Sequence, residues 1–172
     1  MKLLKPNTID GDNLSLELQL EEFLSNYEKL IILGVGNELK CDDGIGPFII
    51  KKLQEADVEN QELLLINAET VPENFTGKIR KENPTHLIII DACLMGCDAG
   101  EIKIVDHDDF ANIGISTHSM SLSFFAKYLQ NDLDFSMAFI GIEPESMDYS
   151  ERPTKTVEKS ALDFIDLLKE IL

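Results

Sequence analysis

Three side chains in this sequence could act together on one polar group. They are Asp43, second of the pair Asp42-Asp43; Asp91, which ends the apolar run LIII; and His118, in the segment THSM. Two carboxylates and one imidazole make a mixed O,O,N donor set. Such a set fits a borderline divalent metal while leaving positions open for water or substrate. Taken singly, two of the three have a plainer reading. Asp43 reads as well as a helix N-cap, and His118 as a loop histidine with a satisfied hydrogen bond. Asp91 is harder to dismiss, because an ionisable group at the end of an apolar run is partly desolvated and needs a partner.

The elements that must position them follow from hydrophobic patterning. Leu30–Val35 is a short apolar strand that runs into Gly34, Gly36 and Asn37, residues that let a chain leave a sheet sharply. Asp42 and Asp43 come next, and Gly44, Gly46 and Pro47 open an amphipathic helix that fades near Glu55. Further parallel strands are predicted over 63–66, 87–90 and 135–139, the last running on to Ile142, with 101–105 (EIKIV) as an antiparallel edge strand entered by a hairpin through Gly96 and Gly100. Helices are predicted over 16–27, from Pro72 to Arg80, after His118 with Leu122, Phe125 and Leu129 on one face, and at the C-terminal end with Val157, Ala161, Ile165 and Leu168 aligned. The alternation gives an α/β fold, a doubly wound, mostly parallel five-stranded twisted sheet with helices on both faces and one antiparallel edge strand. Asp43, Asp91 and His118 then share the carboxyl rim, where ligands bind in such sheets.

Composition narrows the function classes. A net charge of −17 argues against nucleic acid or an anionic membrane as partner. No apolar run approaches the roughly 18 residues of a membrane helix, and the start MKLLKPNTIDGD has no apolar signal region. Three cysteines, an odd number, fit free thiols in a reducing cytoplasm. Cys93 and Cys97 lack the paired close spacing of structural zinc, and Cys41 or Cys93 as a nucleophile beside His118 is an open alternative to the commoner buried inert thiol. Gly34-Val35-Gly36 raises nucleotide binding, but the third glycine of a dinucleotide fingerprint would fall at Leu39, and no Gly-Lys-Ser/Thr follows. No Gly-x-Ser-x-Gly elbow is present, which argues against a serine hydrolase.

The stretches GVGNELKCDDGIGP, LIIIDA, THSM and GIEP, in that order over about residues 30 to 170, resemble the hydrogenase maturation endopeptidases. The loop ETVPENF, Glu69 to Phe75, is similar to the branch that processes hydrogenase-3-type large subunits. This resemblance implies a five-stranded twisted sheet. It also implies a reaction: removal of a C-terminal extension from the precursor of a [NiFe] hydrogenase large subunit once nickel has been inserted. The family's metal-recognising trio falls on Asp43, Asp91 and His118, with Asp42 as the neighbour that shapes the loop. Nickel is then supplied by the substrate, held by the large subunit's cysteines, and no nucleotide cofactor is implied.

Metal-polarised carbonyl chemistry and direct activation of water by Asp43 or Asp91 both remain open. Asp42, Asn37, Glu69 and Glu73 are placed as surrounding or substrate-contacting residues, and Asp42→Asn is expected to be milder than Asp91→Asn. Residues 1–29 form a tail and extra helix ahead of a peptidase domain at 30–172, a departure from a family that starts almost at strand one. A monomer is expected. A nickel-sensing chaperone that escorts the immature subunit without cutting it stands as the non-enzymatic alternative.

Overall fold

The computed structural model describes residues 15–105 and 119–172. In chain order the elements are α1 (Leu16–Leu24), β1 (Leu30–Val35), α2 (Ile45–Glu55), β2 (Leu63–Glu69), α3 (Thr76–Glu82), β3 (His86–Ala92), β4 (Ile102–Val105), α4 (Ser119–Gln130), β5 (Ser136–Ile142) and α5 (Lys155–Ile171). The five strands form one sheet in the order β2-β1-β3-β5-β4. Pairings of β1 with β2, β1 with β3 and β3 with β5 are parallel, and β4 runs antiparallel to β5.

Alternation along each strand builds two cores. Leu30, Ile32, Ile88, Ile90 and Ile140 point to the face covered by α1, α2 and α5. Ile31, Leu33, Leu87, Ile89 and Phe139 point to the other, where Ile79 of α3 and Leu122, Phe125 and Leu129 of α4 cover them. Because β1, β3 and β5 are buried on both faces, their sequences are apolar throughout.

The expected strands and the antiparallel edge are present, but the hairpin is not. The chain leaving β3 passes over the slot that β5 later fills, and β4 pairs with β5 alone. The cause lies in the two sequences. SMAFIGI has no polar face and belongs inside the sheet, whereas IKIV is half exposed and carries the ion pair between Lys103 and Glu101. Strand β2 also runs further than its apolar run, through Asn67 and Ala68 to Glu69.

Helix α1 is built into the same core. Ser15 caps it by accepting from Leu18 N, and Leu20, Phe23 and Leu24 are buried against the face that α2 and α5 cover. Beneath it sits His86, the first residue of β3 and 5% exposed, with the rings of Phe23 and Tyr27 edge-on at centroid distances of 5.0 and 6.5 Å. Burial holds the His86 imidazole below its ordinary value of 6.5. The folded protein therefore favours the neutral ring, while the unfolded chain takes up a proton near pH 6.5. The stabilisation is present above that pH and is lost as pH falls towards the lowered folded value. Between about pH 7.5 and 5.5 the urea midpoint is expected to fall more for the native protein than for His86→Phe, which keeps a ring against Phe23 but cannot titrate. Parallel pH profiles for the two proteins would remove His86 as the cause.

Candidate active site

The carboxyl ends of β1 and β3 are where the sheet changes direction: β1 connects outward to β2, and β3 lies on its other side. Ligand crevices of open α/β sheets form at such points. Asp43 follows β1 on a 3-10 turn, Cys41–Gly44, and Asp91 is the penultimate residue of β3. The two residues are 3% and 4% exposed, far below what surface aspartates show.

Three glycines bring the two strand ends together. A Cβ on Gly46 would stand 2.3 Å from Val35 O and 2.5 Å from Ile90 O, so only glycine lets the first turn of α2 touch both strands. A Cβ on Gly34 would meet Gly46 O at 2.4 Å, and one on Gly36 would lie 1.9 Å from Asp43 O. Gly36 also has φ +146°, a conformation that side-chain-bearing residues rarely adopt. The turn carrying Asp43 thus rests on Gly36, and residue 46, beside it, rests on the residue before Asp91.

The N-cap reading of Asp43 does not hold. Gly44 occupies the N-cap of α2 without a side-chain bond, and Lys40 precedes the 3-10 turn in the same manner. Among the described residues the Asp43 carboxylate accepts no hydrogen bond, while its main-chain oxygen accepts from Asn37 N at 3.1 Å. Asn37 shapes the loop further: its side-chain oxygen takes Leu39 N at 3.0 Å.

Asp42 points away from this pair and is fully buried. One oxygen accepts from Glu145 N and Ser146 N, both at 2.9 Å, and the other from Thr154 N at 2.7 Å. The Thr154 hydroxyl lies 3.1 Å from both oxygens. Asp42 therefore fastens the segment after β5 to the turn after β1. Glu69 and Glu73 are exposed on the same rim after β2; Glu69 has φ +49°, and its carbonyl accepts from Gly36 N at 2.8 Å. His118 lies outside the described residues. Among the described residues no three His, Cys, Asp or Glu side chains gather as a metal site.

Glu143 is the residue that pattern reading passed over. It follows β5, is 6% exposed, and accepts from Met95 N at 2.5 Å and Cys97 N at 3.4 Å, which folds the loop after Asp91. Its signal was the one used for Asp91, an acid closing an apolar strand. Burial, with Asp91 and Glu143 nearby, pushes the Cys93 thiol up to about 12, and burial with the Glu143 contact pushes Cys97 up to about 11. Both thiols are thus held further towards the protonated form than a free cysteine, which weighs against either as a ready-made thiolate. A depression lined by residues 130–135 lies at the opposite, amino end of β5, away from the aspartates.

Comparisons with known proteins bear on the fold and the family. A family model described as hydrogenase maturation protease (HycI) matches residues 47–170, a span that includes Asp91 and His118. A Methanocaldococcus jannaschii protein named as a candidate hydrogenase maturation protease is 39% identical over 157 residues, covering 86% of this chain and 93% of its own. The hydrogenase 3 maturation protease of Escherichia coli K12 is 35% identical over 129 residues, 74% of this chain and 81% of that one. The crystal structure of a [NiFe] hydrogenase maturation protease from Thermococcus kodakarensis superposes with a TM-score of 0.80 at 30% identity, covering 89% of this chain and 97% of that one. With a family match over most of its length, relatives above 30% identity and the same fold around the paired strand ends, this chain belongs to the hydrogenase maturation protease family.

Proposed function

We propose that the protein is an endopeptidase that removes the C-terminal extension from the precursor of a [NiFe] hydrogenase large subunit after nickel insertion, with Asp43, Asp91 and His118 as the working groups. The observation that carries this reading is the pair of buried carboxylates on two adjacent strand ends, held there by Gly36 and Gly46. Family membership supports the substrate class, and the E. coli relative is named for hydrogenase 3. Nickel enters as part of the substrate. A donor set that binds strongly only when a metal with vacant positions is presented would place the scissile bond beside it, turning binding energy into orientation. A carboxylate in that position can take the proton of an attacking water and return it to the leaving amine.

Asn37, Glu69 and Glu73 border the same rim and would contact substrate or shape the loop that does, whereas the contacts of Asp42 give it the role of a fastener. No helix among the described residues is long and apolar enough to cross a membrane. All three cysteines are free thiols, which supports action in a reducing cytoplasm. The test is to incubate the protein with nickel-loaded and nickel-free precursor and follow the C-terminal peptide by mass. Loaded precursor is expected to be cut and nickel-free precursor left intact. Equal cleavage of both would remove nickel as the recognition element. Tight binding of loaded precursor without cleavage would give the chaperone role instead.

A further inference from the structure

We propose that residues 36–42 and 143–154 together form a rigid lip that docks the C-terminal region of the substrate precursor through Leu39 and Tyr149, a proposal that rests on the function above. Strands β1 and β5 are not neighbours, since β3 lies between them, yet the loops that follow them are laced together. Cys41 N donates to Ser150 O at 2.8 Å, Ser150 N to Leu39 O at 3.1 Å, and Asp42 N to Ser146 O at 3.1 Å. The buried Asp42 carboxylate adds its bonds to Glu145, Ser146 and Thr154. Loops over a strand end are ordinarily the mobile part of such a fold. This pair is tied by three main-chain hydrogen bonds and by the Asp42 carboxylate.

What the tie holds in place is apolar. Tyr149 is 79% exposed and Leu39 is 49% exposed, and Leu39 O bonds the residue after Tyr149, so the two stand on one fixed strip. Isolated exposed apolar residues are ordinary on any surface. An aromatic and a leucine held on a backbone that has already lost its freedom are different, because binding to them costs little further entropy. Tyrosine is also among the residues that dominate interfaces. The strip continues the rim on which Asp43 and Asp91 lie. Its exposed charges are Glu38, Glu145, Asp148 and Glu151 against Lys40 and Arg152, four acids against two bases, in a chain of net charge −17. The occupant is therefore a polypeptide segment with apolar side chains flanked by Lys or Arg. Strand addition at the β2 edge is a poorer route, because Leu63 N and Leu65 N already donate to the side chains of Asn60 and Glu59.

The test uses the full chain and purified nickel-loaded precursor. The double variant Leu39→Ser/Tyr149→Ser is expected to raise KM for the precursor about tenfold with kcat unchanged, which marks a loss of uniform binding. Leu18→Ser/Leu162→Ser, also exposed but on α1 and α5, is expected to leave both constants as they were. Affinity for immobilised precursor is measured in parallel, so the lip is tested even where no cleavage occurs. If the native protein binds tightly but does not cut, the peptidase reading fails, and a weakened Kd in the lip variant still upholds the lip. Native KM and Kd in the lip variant would overturn the proposal. Raising salt from low to moderate ionic strength is expected to weaken native binding, and insensitivity to salt would overturn the basic character of the occupant.

Discussion

Asp43→Asn is expected to cut processing of the nickel-loaded precursor by roughly a thousandfold or more while leaving stability within about 0.5 kcal/mol of native. Asp43 is 3% exposed, and among the described residues its carboxylate accepts no hydrogen bond, so no contact of the fold depends on its charge. An amide of the same shape therefore fits the turn at little cost. It gives up the negative charge and basicity that the reaction uses, whether as a ligand to substrate-borne nickel or as a base for water. Asp91→Asn, at 4% exposure on the neighbouring strand end, is expected to lose activity to the same extent. Initial rates by mass of the released peptide, together with urea midpoints for each variant, check both halves. Near-native processing in Asp43→Asn would dismiss the residue from the site. A lower midpoint would mean that its carboxylate holds the fold.

The sheet was legible because its signals are long and redundant. Three apolar runs, in β1, β3 and β5, had to be inner strands, ELLLIN read as a further strand, and EIKIV had to lie at an edge. The strand order was harder to read, since no local feature of residues 93–101 says that a later strand will slide between β3 and β4. At the site, the glycine spacing announced a sharp exit from β1. The actual contacts of Gly34 with Gly46, and of Gly36 with Asp43, are tertiary facts that spacing alone does not state. Asp42 and Asp43 look alike in sequence, and only the fold separates them: one is wrapped by donors from residues 145–154, the other is not. Glu143 carries the same signal as Asp91, an acid closing an apolar strand, and only the fold shows that it gathers the loop after Asp91.

Asp42→Asn, expected from sequence to be mild, is therefore expected to be among the most damaging substitutions in the chain. Both Asp42 oxygens accept hydrogen bonds, from Glu145 N, Ser146 N, Thr154 N and the Thr154 hydroxyl. An amide nitrogen in place of either oxygen sets a donor against donors. Each buried group left unsatisfied costs about 1–3 kcal/mol, so Asp42→Asn should lose about 2–3 kcal/mol, and Asp42→Ala, which abandons all four donors, more. The damage reaches α5 as well, because the Thr154 side chain that bonds Asp42 is also the N-cap accepting from Val157 N. Loss of the cap frees the start of the helix whose Val157 and Ala161 are fully buried on the sheet. Processing should fall with stability, since the turn carrying Asp43 and the strip carrying Tyr149 lose their common anchor. Hydrogen exchange at Glu145, Ser146 and Thr154 locates the effect: these amides are expected to lose protection in Asp42→Asn before the sheet does. If they stay protected to the global limit, the Asp42 side chain is not the fastener, and the loop is held by its main-chain pairing with Leu39, Cys41 and Asp42.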